Sequence, residues 1–328
     1  MYMEEIKQKI KEHRKISDSS LHIYTRNVGK LAKAITGEAF ESTDFLLNVE
    51  QVLEQINDKS LSTKKNYLSS VLVFLNPTGI KDYSEDLSKV IAKYNKLLKD
   101  YHNEYMKKIA EQKKSAQQSE NWVSMDTLVR INVKYKNKVR RLGITLGSTA
   151  VRDKERLDIL QKYVVSSLYL FHPPRRCEYG DMDIISERDY KKLEWTKRDF
   201  RNYLVVGGRS AKKKFFSFGK YKTRNTMGLQ KIPIKKNLNS VLNLWLKHNP
   251  SAHLLLDSRG NQMSRNVLSK YLYKVFDEAG VKISANMLRH IYLTEKYGKE
   301  TSYKEKQDDA VAMAHSVQTQ QQHYVKHD

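Results

Sequence analysis

The sequence predicts a mainly α-helical chain in two domains, the second carrying a small antiparallel β-sheet. Three observations lead there. Apolar residues recur at helical spacing through the first hundred positions. After Pro173 and Pro174 that texture breaks into short runs rich in β-branched and aromatic residues, separated by glycines. Helical spacing then returns. With 328 residues the chain is long enough for two domains, each burying its own core. The expected division is a helical domain over 1–111, a polar linker over 112–121 and a second domain over 122–328.

The elements follow in order. In "LHIYTRNVGKLAKAI", Leu21, Tyr24, Val28, Leu31, Ala32 and Ile35 share one helical face. "FLLNVEQVLEQI" gives a second stripe through Leu46, Val49, Leu53 and Ile56. In "LSTKKNYLSSVLVFLNP", Ser62 is the expected cap, Leu68, Val71, Leu72 and Leu75 form the buried face, and Pro77 stops the helix. That reading puts Thr63, Lys64 and Lys65 in the first turn. Cations there oppose the helix dipole, and an external phosphate would relieve the conflict, so the three are candidate DNA contacts. A plain exposed helix end explains them equally well. The stretch up to Asn121 fades into a Gln/Ser-rich linker. "SMDTLVRINVKYKNKV" reads as a capped helix, and "RLDILQKYVVSSLYLF" as a buried one ended by the prolines. "NYLVVGGRS", "KKFFSFG" and "QKIPIK" read as strands. "LNSVLNLWL", "SRNVLSKYLYKVFDEAG" and "ANMLRHIYLTEKY" return to helix.

Sixty Lys and Arg face 37 Asp and Glu, a formal charge of +23, which favours a polyanionic partner, above all nucleic acid. The single cysteine, Cys177, excludes a disulfide framework or a thiolate zinc site within one chain. The first residues are charged and lack an apolar signal core, and no apolar run is long enough to span a bilayer. The expectation is a soluble intracellular protein without membrane association.

Cleaving a phosphodiester with side chains alone needs three things: a hydroxyl nucleophile, fixed positive charge on the nonbridging oxygens, and a proton for the leaving 5′-oxygen. Tyrosine can attack and conserve the bond energy in a phosphotyrosine. Arginine presents a planar fork of donors and stays charged. Lysine can supply the proton, because neighbouring cations lower its pKa. The sequence offers Arg175 with Glu178 three residues on in "PPRRCEYGDM", Lys222 in a turn before a strand, Arg289 in "LRHIY", and His315 in "AHS" with Tyr324 nine residues later. Arg176 competes with Arg175, but its residue at the same offset is Tyr179. Lys220, Lys212, Lys213 and Lys214 compete with Lys222. No metal-ligand spacing is present and no cofactor is expected.

In order and spacing this set resembles the tyrosine recombinase (phage-type integrase) family. The resemblance covers about residues 13–328, with the first domain similar to the family's core-binding domain and the second to its catalytic domain. It implies a site-specific recombinase that cleaves and rejoins double-stranded DNA through a 3′-phosphotyrosine, without metal or ATP, as a homo-oligomer that is tetrameric on synapsed DNA. Tyr324 would be the nucleophile, Arg175 and Arg289 the phosphate clamp, Lys222 the proton donor, His315 a phosphate ligand and Glu178 a support for the first arginine. The "YKT" and "PPRR" contexts resemble recombinases of eukaryotic DNA viruses and related mobile elements, which would place the protein in a host nucleus or cytoplasm. Two positions depart from the pattern. Asn286 stands where the family has a histidine or lysine, and cannot act as a base at neutral pH; His290 is the nearby candidate to replace it. Ala314 stands where the family has glycine. The polar spacer before Tyr324 is expected to set its reach. The resemblance leaves two rivals: a type IB topoisomerase-like enzyme and a DNA-binding protein whose catalysis has decayed.

Overall fold

The computed structural model describes residues 2–38, 40–80, 82–207, 214–297 and 301–326. It divides into two compact units, Met1–Glu111 and Gln112–Asp328.

The first unit is helical: α1 (Tyr2–His13), α2 (Asp18–Thr36), a 3₁₀ turn (Asp44–Leu47), α3 (Val49–Ile56), α4 (Leu61–Leu75) and α5 (Glu85–Ala110). Val28, Leu31, Leu46, Val52, Ile56, Leu68, Val71 and Phe74 are buried together, and Tyr94 donates its hydroxyl to the Leu46 carbonyl at 2.8 Å. The expected stripe from Leu46 to Ile56 is broken at Asn48, whose side chain caps α3 by accepting from Gln51 N. The cap of α4 is Ser60, not Ser62: Ser60 Oγ accepts from Thr63 N at 3.4 Å, which starts the helix at Leu61. Thr63 remains in the first turn, whereas Lys64 and Lys65 move to its end and the next turn, away from the strongest part of the dipole.

The second unit opens with α6 (Ala116–Glu120), a capping-box helix inside the stretch expected to be a linker. Then come α7 (Met125–Arg141), α8 (Lys154–Leu170), β1 (Met182–Ser186), α9 (Glu187–Lys192), α10 (Trp195–Asp199), β2 (Asn202–Val206), β3 (Lys214–Phe218), α11 (Arg224–Met227), β4 (Gln230–Pro233), α12 (Lys236–His248), α13 (Arg265–Val275), α14 (Ala285–Tyr297), α15 (Tyr303–Ala312), α16 (Val317–Thr319) and a π-turn over Gln320–Tyr324. Helix and sheet meet in one core that includes Leu160, Val164, Leu168, Leu204, Phe216, Phe218, Leu242, Trp245, Leu272 and Leu288.

The sheet has the order β1-β2-β3-β4 and is mixed, which corrects the antiparallel expectation. β2, β3 and β4 do pair antiparallel, with Asn202 opposite Phe218 and Phe218 opposite Gln230. β1 lies parallel to β2, with Met182 opposite Asn202. The fifteen residues 187–201, carrying α9 and α10, make the crossover that a parallel pair requires. Beyond β2, residues 208–210 of the expected first strand lie outside the described residues. Gly219 ends β3 against the Asp199 carbonyl, where a Cβ would collide with backbone. Among the described residues no helix is long and apolar enough to cross a membrane.

Candidate active site

The prolines end α8 at Leu170, and the loop after them delivers Arg175 into the interior, fully buried. Its guanidinium lies 3.7 Å from the centre of the Phe218 ring and 5.2 Å from that of Tyr221. Nη1 donates to Gln230 Oε1 at 2.9 Å and to the Ala312 carbonyl at 2.7 Å. Buried Glu178 stands 4.0 Å from Nε, a charge partner beyond hydrogen-bond reach. Nε and Nη2 are buried and, among the described residues, hydrogen-bonded to nothing.

Arg289, on the buried face of α14, meets the same loop. Its Nη1 donates to the carbonyls of Pro174 and Met313, both at 3.0 Å, and its Nη2 contacts His315 Nδ1 at 3.2 Å. Its Nε is also buried and unbonded among the described residues. Burial lowers the pKa of both arginines from the usual arginine range, but not enough for either to lose its charge. Since Arg289 can only donate, His315 accepts through Nδ1 and carries its proton on Nε2, a buried donor with no partner among the described residues. Burial, then the charges of Arg289, Arg176 and Arg175, push His315 down to about 3, so it is neutral near pH 7.

Tyr324 closes the group. Its ring sits 4.5 Å from the Arg289 guanidinium and 5.1 Å from the His315 ring, in an apolar nest with Leu293, Met313 and Val325. Its hydroxyl accepts from Arg176 Nη2 at 3.4 Å. The two adjacent arginines therefore divide the work. Arg175 goes inward to the loop before His315, and Arg176 reaches the tyrosine oxygen. The polar spacer is helical rather than extended. Its final π-turn is closed by Val325 N donating to the Gln320 carbonyl at 3.3 Å, and Gln320 is fully buried. Ala314, next to His315, has φ 58°, a left-handed conformation that glycine adopts without cost and that strains an alanine.

Lys222 lies exposed in the turn between β3 and β4. Buried Asn202 anchors that turn, bonding Lys220 N at 2.9 Å and Lys220 O at 3.0 Å. The neighbours of Lys222 both reach the cluster: Tyr221 faces Arg175, and Thr223 Oγ1 donates to the Ala314 carbonyl at 2.9 Å. Among its competitors, Lys220 pairs with Asp181 at 3.0 Å, and Lys214 is buried against Asn239 and Asn243. Lys212 and Lys213 lie outside the described residues.

Asn286 is exposed, and its Nδ2 stands 3.5 Å from His290 Nε2. His290 is no free base. Its Nδ1 bonds the Tyr324 carbonyl at 3.0 Å and its Nε2 meets Gln118 Nε2 at 3.0 Å. Of the three candidate DNA contacts in the first unit, Lys64 stacks over Tyr101 at 5.5 Å. Lys65 stacks over Tyr105 at 4.5 Å and donates to His102 Nδ1 at 2.9 Å. Thr63 supplies the N–H that its cap accepts.

Sequence reading missed Gln230, Gln118 and the contact of Arg176 with the tyrosine. Gln230 is 55 residues from Arg175, and Gln118 is 172 from His290, so no local spacing marks them. No family model matches the chain, and no curated protein matches it in sequence. Among solved structures the crystal structure of XerA recombinase is similar, with a TM-score of 0.39 and 11% identity, covering 100% of this chain and 94% of that one. At that distance the side chains themselves have to carry any functional reading.

Proposed function

We propose that the chain is a tyrosine recombinase that cleaves and rejoins double-stranded DNA through a 3′-phosphotyrosine. One observation carries the reading. Arg175, Arg289, His315 and Tyr324, from separate segments of the second unit, converge on one cluster in which four buried N–H groups lack acceptors among the described residues. These are Nε and Nη2 of Arg175, Nε of Arg289 and Nε2 of His315. Buried donors left unbonded are costly, and a phosphate's nonbridging oxygens are acceptors of the right charge.

In this reading Tyr324 Oη attacks phosphorus while the bond to the 5′-oxygen breaks. The phenolic proton leaves to solvent, with Arg176 donating to the attacking oxygen. Arg175, Arg289 and neutral His315 stabilise the charge that builds on the equatorial oxygens. Lys222 swings from its anchored turn to protonate the 5′-oxygen, and attack by a 5′-hydroxyl reverses the steps. Lys64 and Lys65, with Tyr101 and Tyr105, offer the first unit's basic and aromatic face to the DNA backbone. The protein acts as a homo-oligomer on paired sites.

The test uses a library of nicked duplexes with a randomised core, which traps the cleaved strand on protein. Wild type forms a denaturant-resistant adduct and Tyr324→Phe forms none while still binding DNA. An adduct on Tyr324→Phe, or none on wild type across the library, rejects the reading. Strand exchange between two trapped-site duplexes separates recombination from relaxation of one duplex.

A further inference from the structure

The main chain of Tyr324 is held by a directed series of hydrogen bonds that begins more than two hundred residues earlier in the sequence. Its carbonyl can only accept, so His290 donates from Nδ1 at 3.0 Å. That fixes the tautomer and leaves a lone pair on His290 Nε2. Gln118 Nε2 donates to that lone pair at 3.0 Å. The other end of the same amide is already committed: Gln118 Oε1 accepts from Ser115 N at 2.9 Å, in the capping box that starts α6. The amide therefore cannot turn over without breaking the box. The series runs Ser115 N–H to Gln118 to His290 to the Tyr324 carbonyl, with every donor and acceptor correctly matched. Two further ties hold the same tail. Thr294 Oγ1 donates to the Tyr324 carbonyl at 3.4 Å and accepts from Lys326 N at 2.9 Å. Gln112 Nε2 donates to the Gln321 carbonyl at 2.5 Å.

We propose that Gln118 and His290 are positioning residues for Tyr324, the glutamine fixing the imidazole's tautomer and the imidazole fixing the tyrosine's main chain over Arg289. This deepens the recombinase reading and rests on it for the role of Tyr324. His290 packs at a tilt against the Tyr324 ring, with centroids 5.0 Å apart, and the groups facing it are Asn286, Gln118, Lys326, Arg289 and His323. Burial above all, with the charges of Lys326 and Arg289, outweighs the raising effect of the bond to the Tyr324 carbonyl and holds it down to about 4, so the series stays intact through neutral pH. A proton on Nε2 would set two donors, the imidazolium and the Gln118 amide, against each other.

The experiment uses the full chain and two variants. Gln118→Leu removes the donor to His290. Gln118→Glu keeps the capping box but presents an acceptor to Nε2. The first readout needs no DNA: nitrogen resonances of labelled histidine. Wild-type His290 should show Nδ1 protonated and Nε2 bare. In Gln118→Glu the carboxylate raises the His290 pKa, and the neutral form shifts its proton toward Nε2. The second readout is single-turnover cleavage of the nicked duplexes. Gln118→Leu should slow it about tenfold, the scale of one hydrogen bond, with DNA binding unchanged. Gln118→Glu should retain activity at low pH, where His290 holds both protons, and lose it as pH rises through the raised pKa, while wild type shows no such limb. A wild-type His290 protonated on Nε2, or resonances and cleavage profiles in both variants that match wild type, overturns the proposal. If wild type makes no adduct, the recombinase reading fails on its own. The resonances, with the Tyr324 ring signal as reporter of its position, still decide whether the series holds the tyrosine.

Discussion

Replacing Arg289 by lysine keeps the charge and removes the fork, and the structure says what that should cost. Arg289 Nη1 holds the carbonyls of Pro174 and Met313, which tie the loop carrying Arg175 to the loop carrying His315. A lysine ammonium at this buried site can serve one carbonyl well but not both along with His315. The variant should lose at least one charged hydrogen bond, about 1.5–3 kcal/mol. All three tryptophans, Trp122, Trp195 and Trp245, belong to the second unit, so their fluorescence follows unfolding of that unit alone. On the proposed recombinase reading the loss is also a preorganised donor to transition-state charge, which should slow cleavage about 10²–10³-fold. DNA binding should change little, since the residue is buried and the charge remains. The assay pairs urea unfolding by tryptophan fluorescence with single-turnover cleavage at saturating protein. A destabilised variant that cleaves within about threefold of wild type would show that Arg289 is a structural strut only. An unmoved unfolding midpoint would show that the two carbonyl bonds do not hold the loops.

Two further outcomes follow from the geometry. His172, His290 and His315 are buried and held to about 4, about 4 and about 3, against about 6.5 in an unfolded chain. Because the folded values are depressed, their stabilising contribution is complete above pH 6.5 and declines as pH falls toward 4, by about 1.4 kcal/mol per pH unit for each imidazole; equal urea midpoints at pH 7 and pH 5 would contradict this. Lys222→Ala should slow cleavage of an ordinary phosphodiester but recover most of the rate on a substrate with sulfur in place of the bridging 5′-oxygen, which needs no proton to leave. A defect equally large on both substrates would take the acid role away from Lys222.

The members of the cluster were more legible in the sequence than the scaffold that holds them: Arg175, Arg289, His315 and Tyr324, picked out by residue type and offset, lie together in the fold. The register between Arg175 and Arg176 could not be settled by the position of Glu178 alone, because both arginines reach the cluster, Arg175 through the Ala312 carbonyl and Arg176 through the Tyr324 hydroxyl. β1 was illegible: "MDIIS" is short, lacks alternation and is a strand only because a crossover returns β2 beside it. Ser60 and Ser62 are both good caps by type, and only the bond to Thr63 N decides between them. His290 was read as a replacement base, whereas its bond to the Tyr324 carbonyl could not be foreseen, since its tautomer depends on a glutamine from another part of the chain.

The π-turn before Tyr324 bears on how the gene can change. It contains three consecutive glutamines, Gln320 to Gln322, a run whose length could change by one residue without altering its composition. In most surface loops such a change would pass unnoticed. Here one residue more or less would swing Tyr324 by roughly 100° about the helix axis, off Arg289, and would put a different residue into the buried place of Gln320. Substitutions at its exposed positions, Gln318, Gln321 and Gln322, should therefore be common among functional descendants of this sequence, while changes in its length should be absent.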